Sequence, residues 1–261
     1  MNKNRLYLQI SSKKGKGVKV KESLCFYNPK EVYEALTTNN NVVKWLKFIS
    51  NHYYPPSNKK ILLLYPCSCE KPYQKSRSYK TLAKTLDRLG NRRKKIHLIT
   101  ISEPFGLVPE EFYGEKTRWH DWENEWYDCP GLFKWWCDKY SQEYSKMYVN
   151  RCIKLLAMYV AEFLRKVELG KVYLEIVAFV RTYTSQLRIR NDHTHRRVIK
   201  RASEIAGVDV KILPDQTLVS EIVESKGRMA WDMHGVSHPM AQQYLLRYLK
   251  GILDSHDTQQ N

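Results

Sequence analysis

Residues 61–79 read ILLLYPCSCEKPYQKSRSY, and the fold follows from how this stretch divides. Ile61 to Tyr65 form a short, continuous apolar run bounded by turn residues, the pattern of a strand buried on both faces of a parallel sheet. Pro66 ends it, because proline cannot donate to a strand ladder. Two cysteines, a lysine, a second proline and a tyrosine follow in the connecting loop. A helical pattern then begins near residue 78, with Leu82, Leu86 and Leu89 at helical spacing and Gly90 as its stop. Strand, reactive loop, helix places chemistry at the carboxyl end of a parallel sheet.

Outward from this unit, strands and helices alternate. Ile96–Ser102 reads as the second strand, 104–109 as a loop, and 116–137 as an irregular tryptophan-dense segment turning at Cys129-Pro130-Gly131. A long amphipathic helix is expected over about 141–167 and a strongly apolar strand over 173–180. A basic helix over 194–206, a strand over 208–213, a short helix over 216–224 and a last helix over 238–253 follow. Such alternation predicts a three-layer α/β fold: a mostly parallel sheet of about four strands with helices on both faces. Residues 1–58 are expected to form an N-terminal extension. It would comprise a basic arm, with a short strand-like piece at Leu6–Ile10, and two helices near 29–38 and 41–52. The core is expected over 59–254, with a disordered tail at 255–261.

Composition narrows the function. In 261 residues, 44 Lys+Arg against 27 Asp+Glu give a net charge of +17. That balance favours an anionic partner, with nucleic acid first; a merely soluble basic surface is the plain alternative. Cysteines at 25, 67, 69, 129, 137 and 152 do not make two C-x-x-C pairs, so a zinc ribbon is not expected. With no signal peptide and no long apolar span, the expectation is a cytoplasmic protein with reduced thiols and no membrane partner. No P-loop, dinucleotide-binding glycine motif or hydrolase elbow occurs, so no nucleotide cofactor is implied.

Several side chains could carry chemistry. Cys67 directly follows the first strand, and a thiolate there is a candidate nucleophile; a structural cysteine is the alternative. Lys71 could meet an anionic group and Tyr73 could stack on a flat base or donate its hydroxyl. Ser76 and Ser78 could cap the next helix, Ser78 by preference. Glu103, at the end of the second strand, could act as a general base or hold an amine, while Glu110 and Glu111 read as solvated. Asp128 could bind an ammonium or simply start a turn. Residues 181–201 carry seven Lys and Arg cations together with His193 and His195. A phosphate-binding patch at a helix start is the preferred reading there, since two histidines alone make no metal site. His234 and His238 suggest zinc only weakly.

The stretch P-C-S-C-E-K-P-Y-Q-K-S at 66–76 resembles the pattern P-C-x-x-x-K-P-Y-x-x-S of the archaeosine synthase core domain. Residues 101–112 (ISEPFGLVPEEF) and 127–136 (YDCPGLFKWW) look like further parts of that domain, and the resemblance spans about residues 60–250. It implies an enzyme that adds the side-chain amine of free lysine to the nitrile of 7-cyano-7-deazaguanine in archaeal tRNA, with no cofactor and no metal. It implies that Cys67 captures the nitrile carbon, with Glu103 or Asp128 assisting proton transfer and amine placement. Lys71, Pro72, Tyr73, Ser76 and Tyr79 would shape the base pocket, and Arg188, Arg190, Arg196 and Arg197 would hold phosphates. A histidine closes the family pattern where this chain has Tyr79. Family members also carry transglycosylase-like and PUA regions; 261 residues leave no room for them, so a standalone core is expected, with a separate tRNA-guanine transglycosylase or radical enzyme as a further partner. A glycosylase-like base-binding enzyme and a non-catalytic RNA-binding partner are the rival readings.

Overall fold

The computed structural model describes residues 3–113, 118–119, 122–123, 125–182 and 193–259. In chain order the elements are α1 (Lys3–Lys14), β1 (Lys19–Cys25), α2 (Pro29–Thr38), α3 (Asn40–Lys47), β2 (Ile61–Pro66), α4 (Arg77–Asp87), β3 (Ile96–Ser102) and β4 (Gly106–Pro109). Then come β5 (Arg118–Trp119), β6 (Trp122–Glu123), β7 (Glu125–Asp128), α5 (Lys134–Lys139), α6 (Lys146–Leu169) and β8 (Glu175–Phe179). The chain closes with α7 (Thr194–Ala206), β9 (Lys211–Leu213), α8 (Gln216–Lys226), α9 (Arg228–His234) and α10 (Pro239–Gln259).

The protein is α/β, with a mostly parallel sheet and helices on both faces. The main sheet has five strands in the order β4-β3-β2-β8-β9. β3, β2, β8 and β9 run parallel, and β4 returns antiparallel along β3. Residues 61–65 are fully buried, as a central parallel strand requires. The chain leaves β2 in one direction through α4 to β3, and later adds β8 and β9 on the other side. Right-handed crossovers in opposite directions put their helices on opposite faces. α4 accordingly packs with α10, while α6 packs with α7 and α2. Where the direction reverses, at the carboxyl end of β2, neighbouring connections diverge and leave a crevice.

Four local expectations need correction. Lys3–Lys14 is helical rather than an arm with a strand: Tyr7 is buried in an aromatic cluster with Tyr27 and Trp136. The residues after it form β1, which pairs in parallel with β7. The 104–109 loop contains β4, whose short ladder to β3 runs from Ser102↔Gly106 to Ile99↔Pro109. Ser76, not Ser78, caps α4; its Oγ accepts from the Tyr79 N–H at 3.3 Å. Finally, α10 continues through 255–259, because Lys95 reaches Asp257 at 2.6 Å and Arg92 pairs with Asp254, which anchors the last turn.

Residues 24–53 contribute to the main core. Val32, Leu36, Val42, Trp45 and Leu46 belong to the same buried cluster as β2 and α6. Trp45 is fully buried and its Nε1–H donates to the Phe105 and Leu107 carbonyls at 3.0 and 3.1 Å, tying α3 to the loop after β3. Trp45→Phe keeps an aromatic ring but removes that donor. Urea unfolding is expected to show a loss of about 1–3 kcal/mol; an unchanged midpoint would show that these two carbonyls do not depend on the indole.

Candidate active site

Parallel register builds the site. Pro66 of β2 lies opposite Ile101 of β3, and the Cys67 N–H still donates to the Ile101 carbonyl at 2.9 Å. Cys67 and Glu103 therefore leave adjacent strands side by side. Thr194 and His195 arrive from the first turn of α7, which follows β8 on the other flank of β2.

Cys67 Sγ lies 3.4 Å from His195 Nε2, and the same nitrogen lies 3.1 Å from Glu103 Oε2. Thr194 Oγ1–H donates to Glu103 Oε1 at 2.5 Å. His195 Nδ1 faces His193 Nδ1 at 3.1 Å. Glu103 and His195 are buried, and Cys67 is half-buried at the mouth of a cavity. Burial opposes the charge on both partners, but each is offset by the other. The His195 imidazolium and the Thr194 hydroxyl bring Glu103 down to about 2. The Glu103 carboxylate and the Cys67 sulfur raise His195 to about 10. Burial and the His195 charge depress His193 to about 3, so it is neutral and its Nδ1 accepts the His195 Nδ1–H. The result is a buried imidazolium with a carboxylate on one side and a sulfur on the other.

This arrangement distinguishes Cys67 from the other thiols. Cys129 lines the same cavity, but burial, then the charges of Glu103 and Asp128, push its thiol well above the ordinary range. Cys69 is exposed. The sulfur of Cys67, a carboxylate oxygen of Glu103 and a ring nitrogen of His195 lie within 4.8 Å of one another, a spacing that could hold a metal ion. A metal-ligating histidine must be neutral, whereas the Glu103 carboxylate favours the charged form of His195.

The cavity is about 220 Å³ and opens beside Lys14, Lys71, Tyr127, Asp128 and Trp135. Of the residues expected from sequence, it gathers Cys67, Lys71, Glu103 and Asp128. Lys71 is 3 % exposed and its ammonium lies 5.2 and 5.3 Å from the ring centres of Tyr73 and Tyr127. Asp128, at the end of β7, accepts from Ser11 at 2.8 Å and from the Lys14 ammonium at 2.5 Å. Tyr73, Ser76 and Tyr79 instead form a layer behind the cavity wall. The Tyr73 hydroxyl meets those of Tyr127 and Ser102. Tyr79 stacks on Tyr73 at 5.4 Å, donates to the Pro66 carbonyl at 3.2 Å and bonds to Thr100. Burial raises its phenol well above the usual value, so it is a fixed hydrogen-bonding strut, not a base. Pro72 is buried and joined to Lys71 by a cis peptide bond. Glu110 and Glu111, read as solvated, are partnered: Glu110 by Lys59 and Arg93, Glu111 by Tyr53 and His97. A wider depression of about 830 Å³ between α10 and the start of β8 lies at the amino ends of the strands, away from this chemistry.

Arg188 and Arg190 lie outside the described residues. Arg197 donates to Asn150 Oδ1 at 2.7 Å, and Arg196 is half-buried. His195 is the member of this cluster that sequence reasoning passed over. Its signal, a histidine at the start of a basic helix, was present, but its partners lie 92 and 128 positions earlier. Lys14 and Ser11 gave no signal.

The family described as a domain of unknown function, DUF5591, matches residues 42–212. The chain belongs to the DUF5591 family. Cys67, Glu103, Asp128 and His195 of this DUF5591 chain fall inside the matched segment; Ser11 and Lys14 fall outside it. Three relatives carry the name archaeosine synthase subunit alpha. That of Thermococcus kodakarensis is 29% identical over 149 residues, 56% of this chain and 23% of the relative. That of Methanosarcina acetivorans is 28% identical over 179 residues, 69% and 23%. That of Thermoplasma acidophilum is 32% identical over 99 residues, 38% and 18%. The matched part thus spans about a fifth to a quarter of each relative. A crystal structure of a protein of unknown function aligns at TM-score 0.37 and 21% identity, covering 66% of this chain and 43% of its own. Among the described residues, no helix is long and apolar enough to cross a membrane.

The Glu103–His195 pair makes a pH-dependent contribution to stability. His195 is raised, so its contribution is full below about 6.5, the unfolded value, and is lost as pH rises through about 10. Glu103 is lowered, so its contribution is full above about 4.3 and is lost as pH falls through about 2. Removing one partner of a buried pair costs about 3–5 kcal/mol. Glu103→Gln is therefore expected to lose about 3 kcal/mol at pH 6 and markedly less at pH 10.5, measured by urea unfolding against the parent. An equal deficit at both pH values would mean that the pair does not carry the effect.

Proposed function

We propose that this chain is a tRNA-modifying transferase acting in archaeosine biosynthesis. In this reading it joins the side-chain amine of lysine to the nitrile of 7-cyano-7-deazaguanine in tRNA. Similarity to proteins named archaeosine synthase subunit alpha supports the pathway. The observation that carries the chemistry is the Cys67 sulfur held 3.4 Å from a buried imidazolium.

The steps balance without an energy source. The Cys67 thiolate adds to the nitrile carbon, and His195 Nε2–H gives its proton to the nitrile nitrogen, leaving a covalent thioimidate. The amine then attacks the same carbon, and neutral His195 takes the proton it sheds. Collapse expels the thiolate, which again pairs with the imidazolium, and leaves an amidine. Glu103 holds His195 in place and stabilises its charged form; Thr194 and His193 fix the two in register. Asp128, a buried carboxylate on the cavity wall, suits an ammonium of the donor. Tyr79 supports the Tyr73 layer and performs no proton transfer, so the absence of a histidine there leaves these steps intact.

Cys67→Ser is expected to abolish lysine addition to nitrile-bearing tRNA, followed by mass spectrometry of digested nucleosides, while tRNA affinity is retained. Turnover in that variant within about tenfold of the parent would rule out the thioimidate, since losing a covalent nucleophile costs orders of magnitude more. Tyr79→Phe is expected to retain activity within about tenfold, because only a hydrogen bond behind the wall is lost.

A further inference from the structure

The reactive cavity, at about 220 Å³, is smaller than the roughly 300–1,000 Å³ of ordinary ligand pockets. It accepts one ring or one reacting group, not a nucleotide with its phosphates. Any polynucleotide carrying the reacting base must therefore lie outside it, on a surface that adjoins the opening. A groove of about 860 Å³ shares Ser68 and Cys69 with the cavity, so the two are separated only by the loop that follows Cys67.

The walls of this groove are cationic. Arg77, at the start of α4, and Lys226, at the end of α8, are both exposed on it, with His234 and His238 between them. Neither Arg77 nor Lys226 has a carboxylate partner among the described residues. The acid on this wall, Glu70, is already paired, 2.9 Å from the Lys16 ammonium. Burial, then His234 and Lys226, hold His238 below the usual histidine value, as positive surroundings require. Two cations without carboxylate partners on one concave surface suit a polyanion.

We propose that this groove holds the phosphodiester backbone of RNA beside the base that enters the cavity. The inference rests on the reading above that the substrate is a base within tRNA. A base inside a duplex cannot reach an enclosed cavity, so its nucleotide must be turned out of the stack. Phosphate contacts then set register and orientation, while the cavity reads the base. Arg77 and Lys226 grip phosphates flanking the extruded nucleotide, and the Ser68–Cys69 loop forms the lip over which the base passes.

The test uses the full chain and an unmodified tRNA transcript, with affinity measured by fluorescence anisotropy from low to moderate salt. The groove variant is Arg77→Gln/Lys226→Gln. The control, Lys47→Gln/Lys154→Gln, removes two exposed charges from α3 and α6. The groove variant is expected to bind about tenfold more weakly and to lose about two from the salt slope, with the control within about twofold of the parent. The rate of Cys67 alkylation by iodoacetamide should be unchanged in both, showing that the cavity is intact. Equal weakening in both variants, or none in the groove variant, overturns the groove assignment while leaving the proposed reaction standing. Failure of the parent chain to bind tRNA at all overturns both.

Discussion

A carboxylate and an imidazole buried against each other at 3.1 Å set the terms for everything around them. Neither charge is tolerable alone in that environment, because an unpaired buried ion costs several kcal/mol. The fold must therefore deliver Glu103 and His195 to one point from elements far apart in sequence. It does so with fully buried strands, which leave little freedom of register. Once the pair is in place, a third group at the same nitrogen, the Cys67 sulfur, sits beside an imidazole whose charged form the carboxylate favours. Cys129 on the same cavity wall has no such imidazole beside it, and burial pushes its thiol well above the ordinary range.

The topology explains why these three residues meet. β2 is central, with β3 on one side and β8 on the other. Cys67 follows β2, Glu103 follows β3, and His195 starts the helix after β8. Each lies just beyond the carboxyl end of a parallel strand, where the connections separate. The N-terminal part closes the fourth side. α1 brings Ser11 and Lys14 to Asp128, and backbone bonds between Lys71 and the Lys14–Lys16 turn join it to the reactive loop. Behind the wall, Tyr73, Tyr79, Tyr113 and Tyr127 pass hydrogen bonds through Ser102 and Thr100, a rigid support for Lys71 and the loop.

Much of this was legible in the chain, for identifiable reasons. β2 opens on a continuous apolar run, β3 and β8 are rich in apolar and β-branched residues, and α6 and α7 carry clear helical periodicity, so the layers could be read directly. Cys67 and Glu103 could be picked out because strand ends are where chemistry gathers in such folds. β4 could not, since Gly106 to Pro109 is four residues between turn formers and is a strand only by virtue of its ladder to β3. β1 and β7 were hidden similarly: β1 reads KVKESLC, with no apolar run, and its partner lies about a hundred residues away. His195 was visible as a residue but not as a partner, because local spacing cannot show that a carboxylate and a sulfur from other strands converge on it. Tyr79 was assigned to the pocket from its place in a motif. Helical geometry turns it toward the sheet instead, where it packs edge-on against Tyr65.

In the proposed reaction Cys67 captures a nitrile carbon. Incubating the chain with a nitrile-bearing 7-deazaguanine nucleoside, without lysine, and recording the intact mass tests it most directly. A mass gain equal to the whole nucleoside is expected, since addition to a nitrile expels no group. Peptide mapping should place it on Cys67, and a primary amine should discharge it as the amidine. An unmodified chain under conditions that support turnover, or an adduct confined to Cys69, would contradict it.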